Sequence, residues 1–201
     1  MKKLFWILTL SLLTAGTTPS LFAEEVPTGM PPMDEKMMEA MKLMAPSEGH
    51  RKLDALIGNF KAKTTMWMDA AAAPQVSEAT SENKWILDGR FVQQTFKGEF
   101  MGKPFEGMGI IGYDNVGKEY ISIWLDSIAT GVMKSTGQYD EATKTFSEEG
   151  TFSCPLTGKK DNAHKAVTQV VDANHHTFEM WHDDVKTGKN YKAMEISYER
   201  V

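Results

Sequence analysis

Closely spaced glycines between residues 98 and 131 constrain the fold of this chain more than any other feature. The segments between these glycines alternate apolar and polar side chains, which is the period-2 pattern of β-strands. Glycine in a strand allows bulges, sharp corners and close backbone approach. In the interior of a helix it costs about 1 kcal/mol relative to alanine. The pattern therefore predicts a curved antiparallel sheet.

The same alternation continues from residue 60 almost to the end of the chain. Turn signals such as Asp88-Gly89 and Met101-Gly102 interrupt it. The strands predicted between such signals span residues 60–69, 77–87, 90–101, 104–113, 118–127, 131–140, 144–153, 163–172, 175–183 and 190–200. Short links make strands that follow one another in sequence pair in space, and closing the meander removes its exposed edges. We therefore predict an all-β fold, an up-and-down antiparallel β-barrel of about ten strands.

One or two short helices are predicted ahead of this barrel. Asp34 can cap a helix over residues 35–45, which Pro46 ends. Ser47 can cap a second short helix that carries His50 on its apolar side. The spacing of four methionines predicts that they share one face of the first helix: Met33, Met37, Met41 and Met44.

The first residues have the pattern of a secretory signal peptide. Lys2 and Lys3 precede an apolar run of ten residues, which is too short for a membrane-spanning helix of about 20 residues. We predict cleavage after Ala23 and a periplasmic or secreted product without a membrane span; an uncleaved membrane anchor is the alternative. The predicted segments are a signal peptide at 1–23, a flexible lead-in with the methionine-rich helix at 24–46, and the barrel domain at 47–201.

Charge and cysteine content exclude several classes of function. The formal net charge is −5, whereas nucleic-acid binding requires clustered lysine and arginine. Cys154 is the only cysteine, so no disulfide can form within the chain. We therefore predict no nucleic-acid partner and a fold that is stabilised by packing alone. The sequence does not indicate an oligomeric state.

The strand predicted at 118–127 has two unlike faces, and one of them suits a ligand cavity. The mixed face carries Tyr120, Ser122, Trp124 and Asp126, and the other face is largely aliphatic. Binding pockets combine apolar walls with a few polar groups, so the mixed face is predicted to point inward. The glycines of the preceding strand, at 107 and 109, leave space for a ligand, for a neighbouring helix or for a bulky tryptophan.

A series of motifs resembles the bacterial domain-of-unknown-function family numbered 1579. The resemblance covers residues 37–201 and implies a lipocalin-like β-barrel, often exported, with no established reaction. It also implies that the mixed face of the strand at 118–127 points inward. The motifs, in order, are Gly49-His50, Leu53, Leu56, Gly58, Trp67, Leu87 to Phe91, Lys103 to Gly107, Gly112 to Asn115, Trp124, Asp126, Thr130-Gly131, Thr157 to Lys159, Glu179 to Trp181, and Met194 to Arg200.

The chain also resembles the wider lipocalin superfamily. There a glycine and a tryptophan open the first strand, and a late arginine packs across the tryptophan. The counterparts in this chain are Gly58, Phe60 and Arg200. Phenylalanine in place of tryptophan implies a weaker cation–π contact.

The predicted ligand is a small, largely apolar molecule inside the barrel. The aromatic residues predicted to form its walls are Trp67, Trp85, Tyr120 and Trp124. The polar residues predicted to orient it are His50, Arg90, Ser122 and Asp126. Glu179 and Glu195 are further candidate contacts.

An alternative prediction is an enzyme that uses the same cavity. His50 and either Glu179 or Glu195 would carry the protons, because a hairpin of the last two strands would bring the carboxylates opposite each other or near Arg90. The more ordinary interpretation is a structural histidine with solvated or salt-bridged carboxylates. The sequence has no nucleophile elbow, phosphate loop or dinucleotide fingerprint, so we predict no catalytic residue.

No metal or other cofactor is predicted as the main interpretation, but two alternatives remain. The methionine face at Met33, Met37, Met41 and Met44 offers thioethers, which are soft ligands for Cu(I). The same methionines would also suit a helix that packs on the barrel. Haem would require an inward histidine, for which His182 is the only strand candidate. The histidines and aspartates at 175, 176 and 182–184 are otherwise interpreted as surface residues.

Overall fold

The computed structural model describes residues 34–201. Helix α1 spans Glu35–Met44, helix α2 spans Glu48–Lys52, and a 3-10 turn spans Leu53–Leu56. Ten strands follow: β1 (Gly58–Met66), β2 (Gln75–Ile86), β3 (Phe91–Phe100), β4 (Lys103–Asp114), β5 (Glu119–Asp126), β6 (Met133–Asp140), β7 (Thr145–Phe152), β8 (Asn162–Val170), β9 (His175–Asp183) and β10 (Asn190–Arg200). The predicted signal peptide and Met33 lie outside the described residues.

The ten strands form one closed antiparallel barrel. Each strand pairs with its neighbours in sequence, and β1 pairs with β10 to complete the ring. The closing register runs from Phe60 opposite Arg200 to Met66 opposite Met194. This arrangement confirms the predicted lipocalin-like barrel, its strand number and its up-and-down order.

The turn between β3 and β4 lies at the predicted position, and its local sequence explains why the two strands end there. Met101 and Gly102 connect the two strands, and both have positive φ angles, of 51° and 75°. Two successive residues with positive φ match the right-handed twist of the flanking strands, and glycine adopts this conformation without steric cost. The turn therefore fixes the register of the β3–β4 hairpin.

Helix α2 and the 3-10 turn close one end of the barrel, which we call the floor. Leu53 is completely buried there and Leu56 almost so. These two side chains form a core cluster with Val92, Tyr120 and Phe146 from the strands. The floor therefore supplies the barrel with a conventional hydrophobic core at this end.

Polar side chains of the floor pair with protein atoms. The Asn83 side-chain amide donates to the Leu56 carbonyl oxygen at 2.8 Å, and its oxygen accepts from the Ser81 hydroxyl at 2.8 Å. The Tyr120 hydroxyl donates to the Gly49 carbonyl oxygen at 2.9 Å. These bonds connect the floor to β2 and β5.

The lipocalin-type contact between the first and last strands is present. The Arg200 guanidinium lies 4.7 Å from the centre of the Phe60 ring. Its Nη1 and Nη2 atoms donate to the carbonyl oxygens of Ile57 and Ala55. Gly58 has a φ of 134°, and a side chain there would collide with the arginine. Arg200 therefore connects the end of the chain to the floor.

Helix α1 does not pack its methionines on the barrel. None of its residues is buried, and Met37, Met41 and Met44 are 54%, 47% and 71% exposed. Asn115 holds its C-terminal end by donating to the Leu43 and Ala45 carbonyl oxygens at 2.8 Å. The interpretation of this methionine face as a packing surface is therefore wrong. In the part of the chain described, no helix has the length and apolarity needed to cross a membrane.

Candidate functional site

A cavity of about 440 Å³ lies inside the barrel and is lined by side chains from its strands. It extends from Leu56 at the floor to the β3–β4 turn at Met101. Ligand pockets in proteins have volumes of roughly 300–1,000 Å³, so the cavity is large enough for a small molecule. The barrel is therefore hollow above its floor, which agrees with the predicted cavity.

Aromatic and aliphatic side chains form most of the cavity wall. The centre of the Phe96 ring lies 6.2 Å from the ring centre of Phe105 and 6.3 Å from that of Trp124, and both contacts are edge-on. The apolar surface continues through Phe178, Met180, Met194 and Ile196. Such a lining favours the burial of an apolar molecule.

Trp124 occupies the space that two glycines of β4 leave open. A side-chain carbon at Gly107 would collide with the indole ring, and one at Gly109 would lie 3.5 Å from it. The indole nitrogen donates to Asp126 at 3.1 Å, and the other oxygen of this carboxylate accepts from the backbone of the following loop. The glycines therefore make room for the tryptophan, which was one of the predicted alternatives.

A polar wall crosses strands β5 to β8. We use this name for Ser122, Ser135, Glu148 and His164, which all line the cavity. The Ser135 hydroxyl and His164 Nε2 are 2.9 Å apart although their strands are not adjacent. They meet over Gly150 of β7, where a side-chain carbon would lie 2.6 Å from the hydroxyl oxygen. The missing side chain at Gly150 thus permits the serine–histidine hydrogen bond.

Two atoms of the polar wall are buried without a hydrogen-bond partner in residues 34–201. These are Oε1 of Glu148 and Nδ1 of His164. Burial raises the pKa of the Glu148 carboxyl, and the nearby Ser122 hydroxyl opposes that shift. Burial also lowers the pKa of His164, and His182 lowers it further. Without a ligand, desolvation therefore favours the neutral form of both side chains, whereas a cation beside Glu148 would favour its carboxylate.

The charges that line the cavity are of one sign. Glu99, Asp126 and Glu148 contribute carboxyl groups, and no lysine or arginine from residues 34–201 lines the cavity. The remaining lining histidine is His176, whose pKa burial lowers to about 4. The acidic side chains of the cavity wall therefore have no lysine or arginine beside them to balance them.

Three of the predicted ligand contacts lie together on the cavity wall. Ser122, Trp124 and Asp126 of β5 face inward, as predicted from the mixed face of this strand. Tyr120 lies on the same face, but it belongs to the floor core and its hydroxyl bonds to Gly49. The ligand-binding roles of these residues stay predictions.

Two other predicted contacts are part of the floor. The His50 ring accepts from the Ser47 backbone at 3.0 Å and packs edge-on against Tyr113. Burial lowers the pKa of His50, and Arg90 lowers it further. The Trp85 indole donates to Asp54 at 2.9 Å. Neither His50 nor Trp85 lines the cavity.

Trp67 and Arg90 also lie away from the cavity. Lys192 Nζ is 5.9 Å from the centre of the Trp67 ring, on the outer side of the barrel. Arg90 lies in the turn after β2 and donates weakly to the Leu87 carbonyl oxygen at 3.4 Å. Neither residue therefore contributes to the cavity wall.

Glu179 and Glu195 lie directly opposite each other on β9 and β10, but on the outer face. Lys192 lies beside both carboxylates, at 3.0 Å from the Glu179 oxygen. The expectation that these residues face the cavity or Arg90 is corrected, because Met180 and Met194 occupy the inward positions. The structure does not bring either carboxylate together with His50.

The surface interpretation of the residues around β9 is wrong for two of them. His176 is 4% exposed and stacks on the Tyr198 ring at 4.2 Å. Asp184 is also 4% exposed and accepts from the Ala70 backbone at 2.9 Å. His182 is half-buried, 5.6 Å from Phe152, and does not line the cavity. Among residues 34–201, no group of three histidine, cysteine or acidic side chains is arranged for a metal.

Ser135, Glu148 and His164 line the cavity but were not among the predicted ligand contacts. The signal that identifies them is strand parity. On β8, His164 is two residues from the buried Ala166, so both side chains point to the same face of the strand. On β7, Glu148 alternates in step with the buried Phe146. Applying the inward parity of one strand to its paired neighbours would have placed all three in the cavity.

Comparisons with known proteins agree with this architecture. The crystal structure of Rv2717c from M. tuberculosis has a TM-score of 0.61 at 12% identity, covering 78% of this chain and 99% of that one. The S-type phycobiliprotein lyase CPES from Guillardia theta has a TM-score of 0.54 at 9% identity, covering 80% of this chain and 96% of that one. A search of curated proteins found no significant match.

At these identities the structural similarity concerns the fold alone. The sequence itself matches a family model that is described as "Protein of unknown function (DUF1579)". The match covers residues 45–200, from the start of the floor to the last strand. The chain therefore belongs to this family.

Proposed function

We propose that this protein binds a small, largely apolar molecule inside its barrel. The observation that carries the proposal is the cavity of about 440 Å³, with aromatic walls and one polar side. Burying the apolar part of a ligand there is favourable by roughly 25 cal/mol per Å² of surface removed from water. The polar wall supplies hydrogen bonds that orient the ligand.

The proposal is tested with a neutral apolar dye and a variant that fills the cavity. Ala166 is buried on the inner face of β8, and Ala163 is exposed on the outer face of the same strand. Nile red fluorescence should increase on binding to the unmodified protein. Ala166→Phe should weaken binding at least about tenfold, because one extra aromatic ring removes much of the free volume.

Ala163→Phe is the matched control, because it adds the same ring on the opposite face. It should bind the dye like the unmodified protein. Equal affinities in all three proteins would place the dye outside the barrel and contradict the proposal. Native mass spectrometry of protein purified from its host would show a bound natural ligand as an increase in the mass of the protein.

We also propose that the protein is exported. The support is the basic and apolar N-terminal pattern of residues 1–23. Expression of the full chain with fractionation and N-terminal sequencing tests this. A periplasmic or secreted protein that begins at Glu24 is expected, whereas an intact Met1 in the cytoplasm would contradict export.

A second candidate function is capture of Cu(I) by α1. It is favoured by the exposure of Met37, Met41 and Met44, whose thioethers are not used for packing. Replacing these three residues by leucine should weaken Cu(I) binding at least about tenfold in competition with a chromophoric chelator. Met68→Leu with Met101→Leu, which alters exposed methionines elsewhere, should not. Unchanged affinity of the triple variant would exclude this candidate.

A further inference from the structure

The Glu148 carboxyl has an oxygen that the described protein leaves without a donor. Its Oε1 atom is buried and unpartnered within residues 34–201. An unpaired buried polar group is costly, typically by about 1–3 kcal/mol, and charged groups cost more. Such a group in the wall of a cavity indicates a donor that arrives with a ligand.

The neighbouring strands explain why no protein donor reaches the Oε1 atom of Glu148. Its cross-strand partner on β6 is Gly137, which has no side chain, and its partner on β8 is Ala166. A side-chain carbon at Gly137 would lie 2.8 Å from Cγ of Glu148. The glycine therefore gives the glutamate its space, and neither partner offers a polar side chain. Ser122 is the hydroxyl near the carboxyl.

The charge of the cavity adds an independent constraint on the ligand. Carboxyl groups line it at three positions, and no lysine or arginine from the described residues does so. Burial lowers the pKa of both lining histidines, so neither supplies positive charge near neutral pH. In a medium of low dielectric constant, a carboxylate attracts a cationic or N–H donor and repels another anion strongly.

We propose that the cavity selects an apolar molecule whose polar end is a nitrogen donor, such as an amine, and that it rejects carboxylates. The donor nitrogen binds Glu148, and the apolar part packs on the aromatic wall around Trp124. His164 Nδ1, the second unpartnered atom of the polar wall, is a further contact for the polar end. The selectivity rests on the proposed function, because it concerns the same cavity.

Three ligands with one alkyl chain test this selectivity. Decylamine, decanol and decanoate, each below its micelle concentration, are titrated against the complex of the protein with Nile red. Decylamine should displace the dye at a concentration at least about tenfold lower than decanol, because a charge-assisted hydrogen bond is stronger than a neutral one. Decanoate should require at least about tenfold more than decanol.

Glu148→Gln should abolish the advantage of the amine over the alcohol. Glu149→Gln is the matched control, because the adjacent glutamate is exposed and does not line the cavity. The control should keep the advantage. If decanoate binds as tightly as decylamine, or if Glu148→Gln keeps the preference, the proposed selectivity is wrong although the cavity binds apolar molecules. If no decyl compound displaces the dye and the dye itself does not bind, the proposed function also fails.

Discussion

The floor and the cavity wall of this barrel differ in how completely their buried polar groups are paired. At the floor, Asn83 (which also lines the cavity), Tyr120 and Trp85 each donate to an oxygen of helix α2 or the 3-10 turn at 2.8 to 2.9 Å. Three buried side-chain atoms lack a partner in residues 34–201, and all three belong to residues that line the cavity. They are atoms of Thr64, Glu148 and His164.

This difference separates a structural region from the region that we propose binds a ligand. Paired groups at the floor hold helix α2 and the 3-10 turn in position and contribute to stability. Unpaired groups in the wall lower stability and are available to a ligand. Substitutions in the floor should therefore destabilise the protein, whereas substitutions of unpaired groups in the wall should cost little.

The largest expected effect is at the apolar centre of the floor. Leu53 is completely buried, so Leu53→Ala should lower the free energy of unfolding by about 2–5 kcal/mol. Urea denaturation at neutral pH measures this effect. A loss below about 1 kcal/mol would show that the floor is not a packed core, and Leu43→Ala on the half-exposed helix α1 serves as the control.

The next effect concerns His176 and acid. Burial lowers the pKa of His176 from 6.5 to about 4, so folding favours the neutral ring. Its contribution to stability is complete above pH 6.5 and is lost as pH falls towards 4, by about 3 kcal/mol. His176→Phe should remove most of this pH dependence in urea titrations.

The exposed neighbour provides a control for this titration. His175→Phe should keep most of the pH dependence, because His175 is exposed. If the stability of His176→Phe depends on pH in the same way as that of the unmodified protein, another group causes the acid sensitivity. The stacked contact with Tyr198 makes phenylalanine a suitable replacement, since its ring is similar in shape and does not titrate.

A smaller loss is expected for a paired polar residue of the floor. Asn83→Ala leaves the buried Leu56 carbonyl oxygen without its side-chain donor and the Ser81 hydroxyl without its acceptor. This should lower the free energy of unfolding by about 1–3 kcal/mol in urea denaturation. No loss would contradict the structural role that we assign to the floor network.

The smallest effect should have the opposite sign. Thr64 has a buried hydroxyl without a partner in the described residues, and valine has nearly the same shape. Thr64→Val should leave the free energy of unfolding unchanged or raise it by up to about 1 kcal/mol. A loss comparable to that of Asn83→Ala would remove the distinction between the wall and the floor.

Strand alternation and turn chemistry were sufficient to predict the barrel. The strand predicted at 163–172 is observed at Asn162–Val170, and the one at 190–200 is observed at the same residues. Alternation predicts well here because each strand has one face towards the interior and one towards water. The Met101-Gly102 turn was also evident from sequence.

The cavity was only partly predictable, because parity within one strand does not show which face points inward. The inward face of β5 was recognised from its mixed composition. Glu179 and Glu195 were misplaced because their orientation depends on the pairing of β9 and β10 with the rest of the barrel. Glu148 and His164 could be placed on the same cavity wall only when the register of β7 and β8 was known.

The pairing of β1 with β10 has a consequence for how the protein is made. Phe60 pairs with Arg200, the last residue of β10, so the sheet cannot close before β10 has been synthesised. A nascent chain that still lacks β10 has two open edges and an uncovered interior. The first nine strands must therefore wait for β10, and any factor that guards the chain against aggregation acts during that interval.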